Sequence, residues 1–373
     1  MQKINVLQFI CPTGFYGAER WVLALANNLD PKLARCDLAV TEESSNQNLE
    51  IVRQYPDIEG KAFKIKMKSR FDLAGIQKLC DLIRERSIDI IHTHGYKSDI
   101  LGLIAAKRCG IKCVSTPHGF GEPSSWKLKQ FIRIGQYCLR YCDKVAPLSQ
   151  QLYDECVQFG VPLKKLQYIQ NGVDLKEVEE FRLTKSNNNK EVDDERIIGF
   201  IGQMIPRKKI DHILKVFDRL CCKHPNLSLQ LLGDGESRAN LEQQASKLAS
   251  KNKIEFLGFR NDRLEKLKNF DLFVMSSSDE GIPRCLMEAM AMETPVSAYN
   301  IPGIDQLLTH NETALLASYD DKDALLEYWE QMLFDQIKAK KLAQQGRKFV
   351  LEHFSAERMS REYMDIFNQL LNK

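Results

Sequence analysis

Residues able to do chemistry gather in four places along the chain. In SSSDEGIPRCLME (276–288), Glu280 precedes a turn at Gly281 and Pro283, and Glu288 lies in the helix that the turn starts. Two carboxylates so placed can accept hydrogen bonds from two parts of one extended, hydroxyl-rich ligand. The N–H groups from Gly281 through Ile282 and Arg284 to Cys285 suit that ligand's phosphates. In GFIGQMIPRKK (199–209), an apolar run enters Gly202 and Gln203, then Arg207, Lys208 and Lys209 stand at the head of a helix. The helix macrodipole is positive there, so three cations together point to an anion such as a diphosphate. HTHG (92–95) and TPHG (116–119) each put histidine beside glycine at a strand's end. His92 and His94 alternate onto one face and could be half of a metal site, but no further ligand or carboxylate cluster follows. Hydrogen bonding to a sugar or phosphate oxygen suits His94 and His118 better, and a satisfied core histidine is the plainer alternative for His92. In CPTGFYGAER (11–20), Gly14 and Gly17 permit a tight turn and close backbone approach before a helix, although G-x-G-x-x-G is absent.

Buried strands must hold these groups in place. The first half predicts strands at Ile4–Ile10, Asp37–Thr41, Asp89–His94, Cys113–His118, Lys144–Ser149 and Leu166–Gln170. Amphipathic helices fall between them near Ala18–Asn28, Asp72–Arg86, Ser98–Cys109, Ser125–Tyr141 and Gln150–Phe159. The alternation restarts with strands at Ile197–Gly202, Leu227–Leu232, Ile254–Leu257, Leu272–Met275 and Pro295–Ala298. Strands separated by single helices imply parallel sheets with right-handed crossovers. Between the halves, RLTKSNNNKEVDDER (182–196) has only Leu183 and Val192 as apolar residues and reads as a linker. The expected domains are therefore 1–181 and 197–354, with a terminal helix in 355–373 whose broad apolar face must pack on something.

Composition excludes several classes. The 373 residues carry 53 Lys and Arg against 50 Asp and Glu, too balanced for dedicated nucleic-acid binding. No apolar run nears the ~18 residues that a membrane-spanning helix needs. Residues 1–10 read as a strand rather than a signal peptide. Eleven cysteines without C-x-x-C pairing read as reduced thiols of a cytoplasmic protein.

The ordered set of motifs resembles retaining glycosyltransferases of family 4, which have the GT-B fold. Glu280 and Glu288 match the family's E-x7-E element. GAER (17–20), HTHGYK (92–97), PHGF (117–120), NGVD (171–174), the G-x5-K from Gly202 to Lys208, GDG (233–235) and LGF (257–259) extend the likeness over essentially the whole chain. It implies an α/β architecture of two Rossmann-like, doubly wound domains facing a cleft, with the C-terminal helix crossing back to the first. The first domain would bind the acceptor and the second the nucleotide sugar. By resemblance, Glu288 binds ribose hydroxyls, Glu280 the donor sugar's hydroxyls, Lys208 the diphosphate, and backbone near Phe259 the base. His118 would meet the donor sugar near the reacting carbon, and Gly17 would let the first domain approach the phosphates. His118 and Glu280 are thus expected to be catalytic. Gly17, Gln203, Arg207, Lys208, Phe259, Gly281, Ile282, Arg284, Cys285 and Glu288 are expected at the donor, and Gly14, Tyr16, His94 and Tyr96 at the acceptor. No cofactor or metal is expected, so fixed cations would take the place of Mg²⁺.

Two departures stand out. Gln203 replaces an arginine usual in the family, which removes a charge and makes Arg207 or Lys209 the expected substitute. Asp305 stands where glutamate is common. Lys64, Lys66, Lys68 and Arg70, with Trp126, Lys127, Lys129, Phe131, Arg133, Arg140 and Tyr141, suit peripheral contact with the inner face of an anionic membrane. The expected activity is metal-independent transfer of a hexose or N-acetylhexosamine, with retention, from a UDP-linked donor to a glycan or lipid-linked glycan in surface polysaccharide synthesis. A nucleotide-sugar 2-epimerase of the same fold, or a non-catalytic sugar-nucleotide-binding protein, is the alternative.

Overall fold

The structure is a computed structural model describing residues 3–44, 47–56, 59–67, 72–119, 125–184 and 195–372. Lys68, Arg70, Phe120 and residues 185–194 of the polar segment lie outside the described residues. The chain divides into two compact units, Met1–Gly172 with Ala356–Lys373, and Val173–Ser355.

In the first unit, β1 (Ile4–Ile10), β2 (Ala34–Glu42), β3 (Ala62–Lys66), β4 (Ile90–His94), β5 (Lys112–Ser115) and β6 (Lys144–Val145) form a parallel sheet in the order 3-2-1-4-5-6. The second unit repeats that order with β7 (Arg196–Ile201), β8 (Leu227–Leu232), β9 (Ile254–Gly258), β10 (Leu272–Met275), β11 (Val296–Asn300) and β12 (Leu315–Ser318). Winding reverses between β1 and β4, and again between β7 and β10. Loops leaving the carboxyl ends of those strand pairs diverge, and ligands of doubly wound sheets bind at such points. All four sequence segments singled out above leave those ends or, for His118, the neighbouring β5.

Strand periodicity sorts the core. Ile4, Val6 and Ile10 face one side of β1, packed with Trp21, Ile90 and the helix Ala356–Leu371. Leu7 and Phe9 face the other side, with Ile91 and Leu103. The terminal helix buries Met359, Tyr363, Ile366 and Phe367 completely in the first of these cores. Ser360 Oγ also donates to Asn28 O at 2.7 Å.

Three expectations need correction. The first domain ends at Gly172 rather than 181, because the helix Leu175–Leu183 puts Val178 into the core of the second unit. Leu166–Gln170 forms only a bridge from Leu166 to Val145, since Pro147 has no N–H with which to continue the ladder. The expected strands omit β3, whose alternation of Phe63 and Ile65 with the exposed Lys64 and Lys66 makes it a sheet edge guarded by lysines.

Candidate functional site

In the second unit, the parallel pairing of β7 with β10 sets two loops side by side. Ser276 Oγ donates to the carbonyls of Lys208 and Lys209 at 2.9 and 2.7 Å, and Ser278 N–H donates to Arg207 O at 2.8 Å. The stitched loops hold Glu280 and Lys208, both buried, in a direct ion pair. Ser277 Oγ donates to Glu280 Oε1 at 2.6 Å, and Arg207 donates to Glu280 Oε2 at 3.0 Å and to Asp279 O at 2.7 Å. Burial alone would raise the Glu280 carboxyl, but Lys208 and Arg207 outweigh it and hold it below the ordinary carboxylate range. Gly303 closes the loop from behind. Its φ is +88°, and a Cβ there would lie 2.0 Å from Glu280 O and 2.3 Å from Gly281 O. Asp305 accepts the Gly303 N–H at 2.9 Å, so the aspartate does steering work on this turn. Gly233 backs the cation loop in the same way, with a would-be Cβ 1.8 Å from Gly202 O.

Glu288 is also buried and paired. It sits in the second turn of the helix Arg284–Ala291 and accepts from Arg284 Nε at 2.9 Å and Arg263 Nη2 at 2.9 Å. Arg263, itself buried, donates to both oxygens of Glu177 at 3.1 Å. Burial opposes the charge on Arg263, but Glu288 and Glu177 overcome it and raise its pKa. Arg284 is thus turned onto Glu288. Cys285 is an inert thiol, its pKa pushed up to about 12 by burial. Among these groups, Arg207, Lys208, Arg263 and Arg284 face Glu177, Glu280 and Glu288, leaving cationic charge in excess. Phe259, just beyond β9, is exposed; Ile282 is buried; Gln203 is half-buried one residue past Gly202.

The first unit carries a histidine cluster at its own switch point. β1 and β4 pair Gln8 with His92 and Ile10 with His94, so Gln8, His92 and His94 share one face. His94 Nε2 lies 2.7 Å from Gln8 Oε1, and His94 Nδ1 lies 3.1 Å from His118 Nε2. His92 Nε2 lies 2.8 Å from Thr116 Oγ1, which meets Tyr363 OH at 2.7 Å. Trp21 packs its ring 5.1–5.8 Å from all three imidazoles. Burial, aided by the neighbouring His118, pushes His92 down to about 3; burial likewise brings His118 to about 3 and His94 well below the usual range. Among the described residues no group of three or more His, Cys, Asp or Glu is arranged to hold a metal ion.

The other first-unit candidates divide. Gly17 starts a helix with nothing within 4 Å of a would-be Cβ, so that point can be approached. Tyr16 is exposed, and its N–H is accepted by Glu19 at 2.8 Å. Gly14 lies under the Tyr16 ring, 2.3 Å from a would-be Cβ, and is a packing glycine. Tyr96 stacks edge-on against Phe131 at 5.5 Å, which also turns Phe131 inward rather than to the surface. The rest of the helix Trp126–Cys138 and the following turn expose Trp126 (73%), Lys127, Lys129, Arg133, Ile134, Tyr137, Arg140 and Tyr141. Residues 126–141 contain no acid. Arg263, Glu177 and Gln8 were missed by sequence reading. Gln8, a polar residue amid an apolar strand, was the one legible signal.

Two doubly wound sheets, one with cations facing buried carboxylates at its switch point, define an α/β enzyme that handles an anionic, hydroxyl-rich ligand. Residues 15–177 match the family described as Glycosyltransferase Family 4, and residues 181–349 match Glycosyl transferases group 1. The chain belongs to glycosyltransferase family 4, with the GT-B fold, and is a transferase. It is 26% identical over 313 residues to N-acetyl-alpha-D-glucosaminyl L-malate synthase of Bacillus anthracis, covering 81% of this chain and 80% of that protein. It is 27% identical over 284 residues to UDP-Gal:alpha-D-GlcNAc-diphosphoundecaprenol alpha-1,3-galactosyltransferase of Escherichia coli, covering 71% and 72%. In fold it is similar to HepE of Anabaena, solved with UDP and glucose, with a TM-score of 0.79, 19% identity, and 98% and 99% of the two chains covered.

Proposed function

We propose that this glycosyltransferase moves a hexose or N-acetylhexosamine from a UDP-linked donor to a glycan or lipid-linked glycan acceptor in surface polysaccharide synthesis, with retention and without a divalent metal. The observation that carries the reading is the pair of buried carboxylates, each already neutralised by cations. Lys208 and Arg207 have N–H groups beyond those used on Glu280, so an arriving diphosphate can share them without stripping the carboxylate of its partner. Glu280 and Glu288 then accept from sugar and ribose hydroxyls. As the bond from the anomeric carbon to the diphosphate breaks, the departing oxygen gains charge beside these cations. The acceptor oxygen bonds to that carbon on the same face, and its proton passes to the departing phosphate oxygen. The Escherichia coli relative, whose name gives UDP-Gal as donor, supports the uridine choice.

Assaying a panel of UDP- and GDP-sugars with and without acceptor tests this. Nucleotide release should require acceptor, continue with a chelator present, and fall at least about a hundredfold in Lys208→Ala. Release without acceptor indicates an epimerase, and abolition by the chelator removes the metal-free mechanism.

The acid-free, aromatic and cationic face of the helix Trp126–Cys138 supports contact with an anionic membrane surface. No helix among the described residues is long and apolar enough to cross a membrane. The protein should float with vesicles containing phosphatidylglycerol but not with pure phosphatidylcholine. Lys127→Glu with Arg133→Glu should abolish flotation; no binding at low salt would rule the surface out.

A further inference from the structure

We propose that Gln8 and His94 are positioning residues that fix the tautomer of His118, so that its Nδ1 reaches the ligand as a bare hydrogen-bond acceptor. The inference follows from counting protons along two contacts. Gln8 is fully buried, and its Oε1 can only accept. The 2.7 Å contact therefore places the proton of neutral His94 on Nε2. His94 Nδ1 is then a lone pair, so the 3.1 Å contact to His118 must be a donation from His118 Nε2–H. Neutral His118 has no second proton, and its Nδ1 is left unprotonated.

The surroundings keep the chain of bonds in this state. Gln8 and His94 sit on the same face of adjacent strands, and Trp21 walls the imidazoles. His118 is half-buried, and its Nδ1 has no bond to any described residue. A side chain of this form accepts from a hydroxyl and cannot donate a proton to a leaving group. That deepens the proposed function and rests on its retaining transfer with the placement of His118 near the donor sugar that the family resemblance implies: the complementary group is then a sugar hydroxyl, and the proton economy of the reaction bypasses His118.

Long-range ¹H–¹⁵N correlation of the full chain labelled at histidine nitrogens reads the tautomers directly, without substrate, so a failed transferase assay leaves this measurement intact. His118→Asn assigns the His118 signals. The wild type should show His118 with a protonated Nε2 and a pyridine-type Nδ1 from about pH 8 to about pH 5. Gln8→Leu should convert the His94 and His118 signals into tautomer mixtures. If Gln8→Leu does not fold, the wild-type spectrum decides the matter. A protonated Nδ1 on His118, an imidazolium at neutral pH, or a Gln8→Leu spectrum identical to wild type overturns the proposal.

Discussion

At the carboxyl ends of β7 and β10, Glu280 and Glu288 are each held by opposite charges, and that sets what single substitutions do. Lys208→Met leaves Glu280 buried with only the exposed Arg207 and Ser277 as partners. It should destabilise the protein by about 3 kcal/mol or more as well as inactivate it, because breaking a buried pair strands the survivor. Adding Glu280→Gln should recover most of the lost stability in denaturant titrations but none of the turnover. Equal losses in the single and double variants would refute the pairing. The histidine cluster governs pH dependence. His92 takes up a proton near 6.5 when unfolded but near 3 when folded, so the unfolded state binds more protons between these values. Stability is therefore complete above about pH 6.5 and declines as pH falls, by up to about 1.4 kcal/mol per pH unit for each fully buried imidazole. Burial pushes the Asp99 carboxyl up to about 7, which works in the opposite sense. His92→Leu should flatten the acid limb of a stability-against-pH curve and Asp99→Asn should steepen it. The E-x7-E pair, Lys208 and His118 were legible because their types are unusual at strand ends. Arg263 was not, because a lone arginine in a short polar helix looks like any solvated one until its burial is known.

At the scale of elements, the two switch points turn sheet order into chemistry. β7 must lie against β10 for the Lys208 and Glu280 loops to meet, and Gly303 constrains the Glu280 side of that meeting. Gly303→Ala meets two carbonyl oxygens and an unfavourable φ together, so it should displace the Glu280 loop. Turnover should fall by about a hundredfold, while nucleotide affinity, proposed to run through Glu288, weakens less. Unchanged kinetics would mean that the loop tolerates displacement. Strand identity was readable wherever an apolar run stood between helices, as at Leu272–Met275. It failed where the pattern was ambiguous. β3 alternates lysines with apolar residues on an edge, β12 is a short run, and the chain beyond Leu166 is extended without a ladder partner that can donate. Such features depend on the neighbouring strand, which sequence spacing does not reveal.

For the whole molecule, chain order and spatial membership part company at the C-terminus. Ala356–Leu371 follows the second unit in sequence, yet its apolar face completes the core of the first, beside Trp21 and the strands that carry Gln8 and the histidines. The width of that face in sequence required a partner; periodicity did not say which unit supplies it, the family resemblance implied the first, and the packing puts it there. Phe367 and Tyr363 are both fully buried there, Tyr363 with its hydroxyl on Thr116. Phe367→Ala should cost about 3–5 kcal/mol, the range for emptying an aromatic site in a rigid core. Tyr363→Phe should cost only about 1 kcal/mol, the net worth of one hydrogen bond. The unit affected distinguishes this packing from a merely stabilising tail. Hydrogen exchange in Phe367→Ala should quicken in β1, β4 and the helix Gly17–Asn28, while β7 to β10 keep their wild-type protection. Faster exchange confined to the second unit would show that the helix belongs with the strands it follows in sequence.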